Sequence, residues 1–458
     1  MRPTPLSAVA AAIDAEVVGS ADPLVERVVA DSRDAGPGDL FVAIPGERVD
    51  GHDYIDQAVA AGAVAAISTR ASGVPTIVVD DPVAALGDYA RASVAALPEL
   101  TVVAVTGSSG KTSTKDMLAS VLAVRGPVVA PVGSMNTEVG LPLTALLCDA
   151  TTRTLVAEMG ARGIGHIARL CGITPPDISV VLNVGTAHIG EFGSRGAIAA
   201  AKGEIVEGLT ADGTAVLNAD DPLVAAMSTR TAARVLTYGM SADADMRISD
   251  LAVDALARPS FELRYAGSAQ RVSLSVSGEH NAWNAAAAAL AGCAAGLTLS
   301  EVGAALESAT VSRWRMEVTT TDSGLVIVND AYNANPDSMS AALKSLAEMG
   351  RRSGGRTFAV LGEMKELGDE SVAAHDELGR LAVRLNIGQL VCVGEGARPI
   401  HMGAAHEGSW NGESVAVADV DAAVDFLRPR LAPGDVVLVK ASRSVGLERV
   451  AAELGEGE

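Results

Sequence analysis

From residue 101 onward the chain alternates short apolar runs with segments of helical periodicity. The run 102–105 reads as a buried strand. After it, Met117, Leu118, Val121 and Leu122 share one helical face, and Gly126 and Pro127 end that helix. Further strands are predicted over 155–158, 178–182, 214–217 and 234–237, with helical sequence between them. Such alternation implies a parallel sheet covered by helices. A second series follows, with strands predicted over 326–328, 358–361, 390–393 and 436–439, and reads as a separate C-terminal α/β domain. Between the two series, 261–276 alternates as an antiparallel edge would, and an Ala-rich segment starts at Trp283. The first hundred residues are shorter βα pieces with glycine turns, ending near Pro98. The expected fold class is therefore α/β in three domains, over 1–98, 99–312 and 313–458.

A length of 458 residues suits three domains at roughly 150 residues each. Hydrophobic residues at 48% and charged residues at 20% exclude wholesale disorder. Aromatics make up only 3% and there are 47 glycines, so the cores must be Ala, Val and Leu between glycine turns. A net charge of -21 opposes non-specific binding to nucleic acid or anionic lipid. Any anionic ligand must therefore be held by a local device. Cys148, Cys171, Cys293 and Cys392 lie far apart without a Cys-x-x-Cys, which points to reduced thiols in a cytoplasmic protein rather than to zinc or a disulfide framework. The apolar run 6–18 is broken by Asp14 and Glu16, against a secretory signal. The uncharged stretch 282–300 contains Asn284 and glycines, and reads as a buried core helix rather than a membrane span.

The sharpest chemical signal is Gly107-Ser108-Ser109-Gly110-Lys111-Thr112, placed after a buried strand and opening a helix. Backbone N–H groups there can cradle phosphates, with Lys111 on the outer phosphates and the Thr112 hydroxyl on magnesium. The usual eight-residue P-loop has glycine where this chain has Val105, so the alternative is an ordinary strand-to-helix turn. Gly163-x-Gly165-x-x-Ala168 imitates a dinucleotide fingerprint, but Asn183 stands at the end of the next strand where a ribose-binding acid is expected, and a plain turn is the better reading. Glu158 and His188 follow strands parallel to the P-loop strand, and at that edge they can hold magnesium against ATP phosphates. Lys202 reads alone as a solvated helix lysine. Asp330, Tyr332, Asn333 and Asn335 cluster in 329–337, which is either an Asn/Asp/Pro turn or, through Asp330, an acceptor for ribose hydroxyls.

Together these motifs resemble the Mur ligase family, ATP-dependent enzymes that add amino acids to the muramyl peptide precursor of peptidoglycan. The resemblance spans essentially the whole chain. Asp31-Ser32-Arg33, 41–46 and Asp50-Gly51-His52 are similar to the domain that holds the uridine diphosphate end of the substrate. The stretches 106–115, 136–142 and 158–161, with His188 and Lys202, resemble the central ATPase domain. His280-Asn281-x-x-Asn284, Arg315 and Asp330 resemble the family's nucleotide contacts, although Trp314 stands where many relatives have glycine, and Arg313 can share the role of Arg315. The segments 158–161, 332–336, 361–368 and 440–444 resemble the branch that adds D-alanyl-D-alanine to UDP-N-acetylmuramoyl-tripeptide, and the Asp-Asn-Pro-Arg motif of the preceding ligase is missing from the sequence. A P-loop switch would carry Asn-Lys-x-Asp, and none occurs.

The resemblance implies ATP and Mg2+, an acyl phosphate intermediate and a cytoplasmic monomer. It implies ATP contacts from Gly107 through Ser113, Asn284, Arg315, Asp330 and Tyr332, and catalytic roles for Lys111, Lys202 and His188. It assigns the substrates to Ser32, Arg33, Asn136, Thr137, Asn333 and Asn335, and the metal to Thr112, Glu158, His188 and Lys202, the last carried as a carbamate.

Overall fold

The computed structural model describes residues 1–455 other than 47, 48, 188 and 409. Within them, three larger sheets follow one another along the chain. The first, of five strands, runs in the order Glu16–Val18, Thr76–Val78, Ala65–Ser68, Asp39–Val42 and Arg27–Val29, parallel except at its first pair. The second has nine strands, with Thr101–Thr106 between Thr154–Glu158 and Ile178–Val181 and parallel to both. Thr101–Thr106 is buried along almost its whole length because helices cover both faces, which is why it reads as a continuous apolar run rather than an alternation. At the far side Met246–Val253, Pro259–Tyr265 and Ser268–Ser273 form the antiparallel edge expected over 261–276. The third sheet sets Val326–Asn329, Val436–Lys440, Thr357–Leu361, Gln389–Val393 and Glu413–Val417 in parallel, with Glu317–Thr320 antiparallel at one end.

Four strands beyond the first domain escape the sequence pattern, Val128–Val129, Glu317–Thr320 and two whose exposure gives a physical reason. Met246–Val253 is half-exposed and irregular, with a register shift between Ser249 and Ala252. Glu413–Val417 lies at a sheet edge and is largely uncovered. The Ala-rich segment forms the helix Asn281–Ala294, buried from Ala285 through Gly292 and packed on the P-loop helix Lys111–Leu122. Among the described residues no helix is long and apolar enough to cross a membrane.

The two domain boundaries are built differently. Leu6, Val9, Leu86 and Tyr89 belong to the same buried apolar cluster as Leu141, Ile167 and Leu170, so the first sheet's layer is joined to the central one by continuous core. The C-terminal sheet has clusters on its two faces, and of the central domain only Ala257 joins them among the described residues. Beyond that it meets the central domain through polar contacts and through a backbone approach at Gly190, where a Cβ would lie 2.7 Å from the Gly368 nitrogen.

Candidate active site

A cavity of about 900 Å3 opens between the carboxyl edges of the central and C-terminal sheets. Ligands of open α/β sheets gather at such edges because loops and helix N-termini converge there. Its central wall is the P-loop, which the strand Thr101–Thr106 delivers directly into the helix Lys111–Leu122. Val105 is fully buried inside the strand, so the loop proper starts two residues later, at Gly107. Two glycines are sterically required there. A Cβ on Gly107 would stand 2.9 Å from the Leu182 Cβ, and Gly110 has φ +81° with the Asn284 Oδ1 2.6 Å from where its Cβ would be. Asn284, Ser113 and Thr112 all line the cavity beside this turn.

The loop is braced by a residue that sequence reasoning set aside. Asn183 Oδ1 accepts from the backbone N–H groups of Ser108 and Ser109, both at 3.0 Å, and its amide nitrogen donates to the Ser109 carbonyl at 3.2 Å. The position where an acid was expected is thus an internal strut of the P-loop. Gly165 and Ala168, the glycine pattern read as a plain turn, donate their N–H groups to the Glu204 carboxylate at 2.5 and 2.9 Å. That helix N-terminus is filled by the protein's own anion, so it has no room for a phosphate.

Several charges on the central wall are buried. Lys111 donates to the Gly107 carbonyl at 2.8 Å, and burial draws its ammonium below the ordinary lysine range, partly opposed by Glu158 and reinforced by Arg315. Lys202 lies on the buried face of the helix Arg195–Glu207, and not in solvent as its sequence context alone suggests. Burial first, and then the charge of Lys111, pulls its pKa well below the usual value. Glu158 is buried at the end of its strand. Its Oε1 accepts from Asn136 Nδ2 at 2.7 Å, while Oε2 has no hydrogen-bond partner among the described residues. Thr137 lines the same wall, its hydroxyl accepting from the Gly140 N–H at 3.3 Å. His188 lies outside the described residues.

The facing wall comes from the C-terminal domain. Asp330 and Lys440, 110 residues apart, form a buried ion pair at 2.6 Å, and Lys440 also donates to the Asn333 carbonyl at 2.9 Å. Asp330 Oδ1 accepts from the Met316 N–H at 3.1 Å. The Tyr332 and Ser134 hydroxyls meet across the cleft at 2.6 Å, and the Arg315 guanidinium covers the Tyr332 ring at 4.1 Å. Arg315 Nη2 donates to Thr112 Oγ1 at 3.0 Å, so Arg315 rather than Arg313 reaches the P-loop. Trp314 adopts φ +61°, the left-handed conformation that glycine takes at no cost, and its ring packs under Arg443 at 4.2 Å. Asn335 caps the helix Pro336–Ser353, with Oδ1 accepting from the Ser338 N–H at 2.9 Å and Nδ2 turned to the Ser108 carbonyl at 3.4 Å. Asn333 Oδ1 accepts from the Ala334 N–H at 2.8 Å. Lys365 and Glu366, from the second distinguishing loop, line the same cavity.

Ser32 and Arg33 do not line this cavity. They sit in the first domain, with Ser32 donating to Gln57 Oε1 at 3.2 Å and Arg33 Nε to Asp31 at 2.9 Å.

A glycine-bounded strand-to-helix loop of P-loop form facing a second α/β domain across a large cavity is the arrangement of a nucleotide-dependent enzyme. Family descriptions match in three consecutive stretches: the Mur ligase family catalytic domain over 25–100, the Mur ligase middle domain over 105–292, and the Mur ligase glutamate ligase domain over 314–443. The chain belongs to the Mur ligase family. It is 48% identical, over 92% of its length and 90% of the relative's, to the UDP-N-acetylmuramoyl-tripeptide--D-alanyl-D-alanine ligase of Mycobacterium tuberculosis, strain H37Rv. The enzyme of that name from Bacillus subtilis, strain 168, is 34% identical over 94% of both chains. Among solved structures, MurF from Acinetobacter baumannii superposes with a TM-score of 0.90 at 30% identity, covering both chains completely. The MurF ligase of Thermotoga maritima in complex with ADP superposes at 0.81 with 34% identity, over 94% of this chain and 97% of that one.

Proposed function

We propose that this chain joins D-alanyl-D-alanine to UDP-N-acetylmuramoyl-tripeptide, cleaving ATP to ADP and phosphate in peptidoglycan precursor synthesis. The observation that carries this reading is the cavity itself: the P-loop on one wall, and on the other the two loops, 332–336 and 361–368, that resemble the dipeptide-adding branch. A carboxylate is a poor electrophile at neutral pH. Transfer of the ATP γ-phosphoryl group to the tripeptide carboxylate makes an acyl phosphate, the neutral dipeptide amine attacks its carbonyl, and phosphate leaves from the tetrahedral intermediate. No protein nucleophile is needed, so the protein's contribution is placement and charge.

Each residue then has a task. Lys111 stabilises the charge that develops on the transferring phosphoryl group, and the loop from Gly107 to Ser113 holds the phosphates. Asn284, Arg315, Asp330 and Tyr332 serve the nucleotide. Ser32 and Arg33 hold the uridine diphosphate end at a distance from the reacting centre, and Asn136 and Thr137 lie where the peptide end arrives. With its Oδ1 engaged as a helix cap, Asn335 can offer a dipeptide carboxylate only its Nδ2, whereas Asn333 keeps its amide nitrogen for that purpose.

The donor set fits magnesium. Glu158 Oε2, buried and without a partner among the described residues, is an anionic oxygen held ready for a cation, and Thr112 stands at the matching P-loop position. Mg2+ bound there would neutralise phosphate charge, with Glu158, Thr112, His188 and Lys202 as its holders. A bare ammonium at Lys202 would repel the ion. Burial shifts the Lys202 equilibrium toward the free amine, the form that adds carbon dioxide with release of a proton, and the carbamate so formed is an anion. The chain works as a cytoplasmic monomer.

The test is phosphate release with the UDP-tripeptide and D-alanyl-D-alanine each omitted in turn. Release that needs both substrates is expected. Equal release without the dipeptide, or with a free amino acid in its place, would move the chain to another amide ligase of this fold, such as a tripeptide synthetase or folate polyglutamate ligase.

A further inference from the structure

The loop that carries Arg315 is held at three alternate backbone positions by three carboxylates. The Ser312 N–H donates to Asp116 Oδ2 at 2.7 Å, the Trp314 N–H to Glu317 Oε2 at 3.0 Å, and the Met316 N–H to Asp330 Oδ1 at 3.1 Å. Trp314 and Met316, on either side of Arg315, both have positive φ, at +61° and +52°. Two side-chain-bearing residues of that kind flanking a single position are costly, and such backbone persists only where its surroundings over-determine it.

Of the three carboxylates, Asp116 alone belongs to the central domain, one turn along the P-loop helix from Thr112. It is a substantial fixture. Asp116 Oδ2 accepts from both the N–H and the hydroxyl of Ser312, at 2.7 and 2.8 Å, while Oδ1 pairs with Lys115 at 2.6 Å. The Lys115 ammonium is itself buried and donates to the Pro131 carbonyl at 2.7 Å, three residues before Ser134, the partner of Tyr332. The linker between the domains is thus fastened to the P-loop helix at Asp116, and three residues later Arg315 returns to the same helix at Thr112.

We infer that Asp116 is a positioning residue for Arg315: it pins the interdomain linker so that the guanidinium is held at the P-loop end of the nucleotide site. The inference rests on the reading that Arg315 serves the nucleotide. Geometry gives it content, because, of the three carboxylates on this loop, Asp116 is the one that ties it to the P-loop helix, and small misplacements of a charge beside a reacting phosphoryl group are expensive. Asp116 touches neither phosphate nor peptide in this scheme, so its effect must pass through Arg315.

That requirement makes the test a double-mutant cycle on kcat in the full-length enzyme, with Asp116→Ala, Arg315→Ala and the pair. Asp116→Ala is expected to lower kcat by about tenfold or more, with the KM for D-alanyl-D-alanine little changed. In the Arg315→Ala background the same substitution should cost less than about twofold, because its target is gone. Asp116→Asn, which keeps an acceptor for the Ser312 N–H, should restore part of the rate. Ser312→Ala leaves the Lys115–Asp116 pair in place and should lower kcat by about threefold, again only when Arg315 is present. This second cycle stands if Asp116→Ala fails to fold. Equal losses in both backgrounds would overturn the positioning role while leaving the nucleotide reading of Arg315 intact. A near-native Arg315→Ala enzyme would overturn both.

Discussion

The two sheet edges that face each other across the cavity handle their charges in opposite ways. On the central edge, Lys111 and Lys202 are buried with depressed pKa values and Glu158 keeps one oxygen without a partner among the described residues. On the C-terminal edge, burial lowers the pKa of Lys440 too, but this lysine is bonded to Asp330, which opposes the shift, and to the Asn333 carbonyl, and Asn335 is spent on capping its helix. Buried charge left uncompensated inside a protein is destabilising, so it persists where a ligand completes it. Compensated charge fixes geometry. One edge is therefore built for chemistry and the other to aim it.

Substitutions on the two edges should consequently fail in different assays. Lys111→Ala should lower the ligation rate by about 10³-fold while leaving the thermal transition close to that of the parent, since the removed ammonium is held by the Gly107 carbonyl and, among the described residues, by no ion pair. A near-native rate would take the P-loop lysine out of the mechanism. Lys440→Ala should do the reverse first. It strands the Asp330 carboxylate in a buried site, and denaturant unfolding of the C-terminal domain should show a loss of about 3 kcal/mol or more. If its stability is unchanged and only the rate falls, Lys440 belongs with the reactive groups and the contrast between the edges breaks.

Smaller effects sharpen the same contrast. Lys202→Ala should reduce turnover by about 10²-fold, and short carboxylic acids should restore part of it by occupying the vacated space with a negative charge. Full activity without rescue would exclude an essential carbamate. Asn335→Ala removes a helix cap and should cost about 1 kcal/mol in stability. Because only its Nδ2 remains for substrate, the accompanying rise in the KM for D-alanyl-D-alanine should be modest, with the KM for ATP unchanged. A fall in ATP affinity instead would assign this loop wholly to the nucleotide and leave 361–368 to select the dipeptide.

How much of this was legible beforehand depended on range. Gly107, Gly110, Lys111 and Thr112 are readable because a phosphate loop needs local backbone freedom and fixed spacing, and both are written in consecutive residues. The buried strands of the central and C-terminal domains are legible for the same reason, their apolar runs being contiguous, whereas the short buried strands Asp39–Val42 and Ala65–Ser68 and the exposed edge strand Glu413–Val417 are not singled out. Asn183 was noticed for the acid it is not, and its bracing of Ser108 and Ser109 spans 75 and 74 residues. Asp116 offered nothing at all, a charged residue in the middle of a helix being ordinarily a solvated one. The solvated-lysine reading of Lys202 failed because burial depends on which helix face meets the sheet.

The alternation of buried strands and helices in the two larger domains, the phosphate loop and the family resemblance follow from the sequence by itself, since each depends on residues close together in the chain or on motifs read one at a time. Whether a charge is compensated depends on partners brought together by the fold. The pairing of Lys440 with Asp330, the fastening of Ser312 to Asp116 and the low pKa of Lys202 arise from packing between distant segments, and in a low-dielectric interior that packing decides which ionisable groups hold the structure and which are left for the reaction.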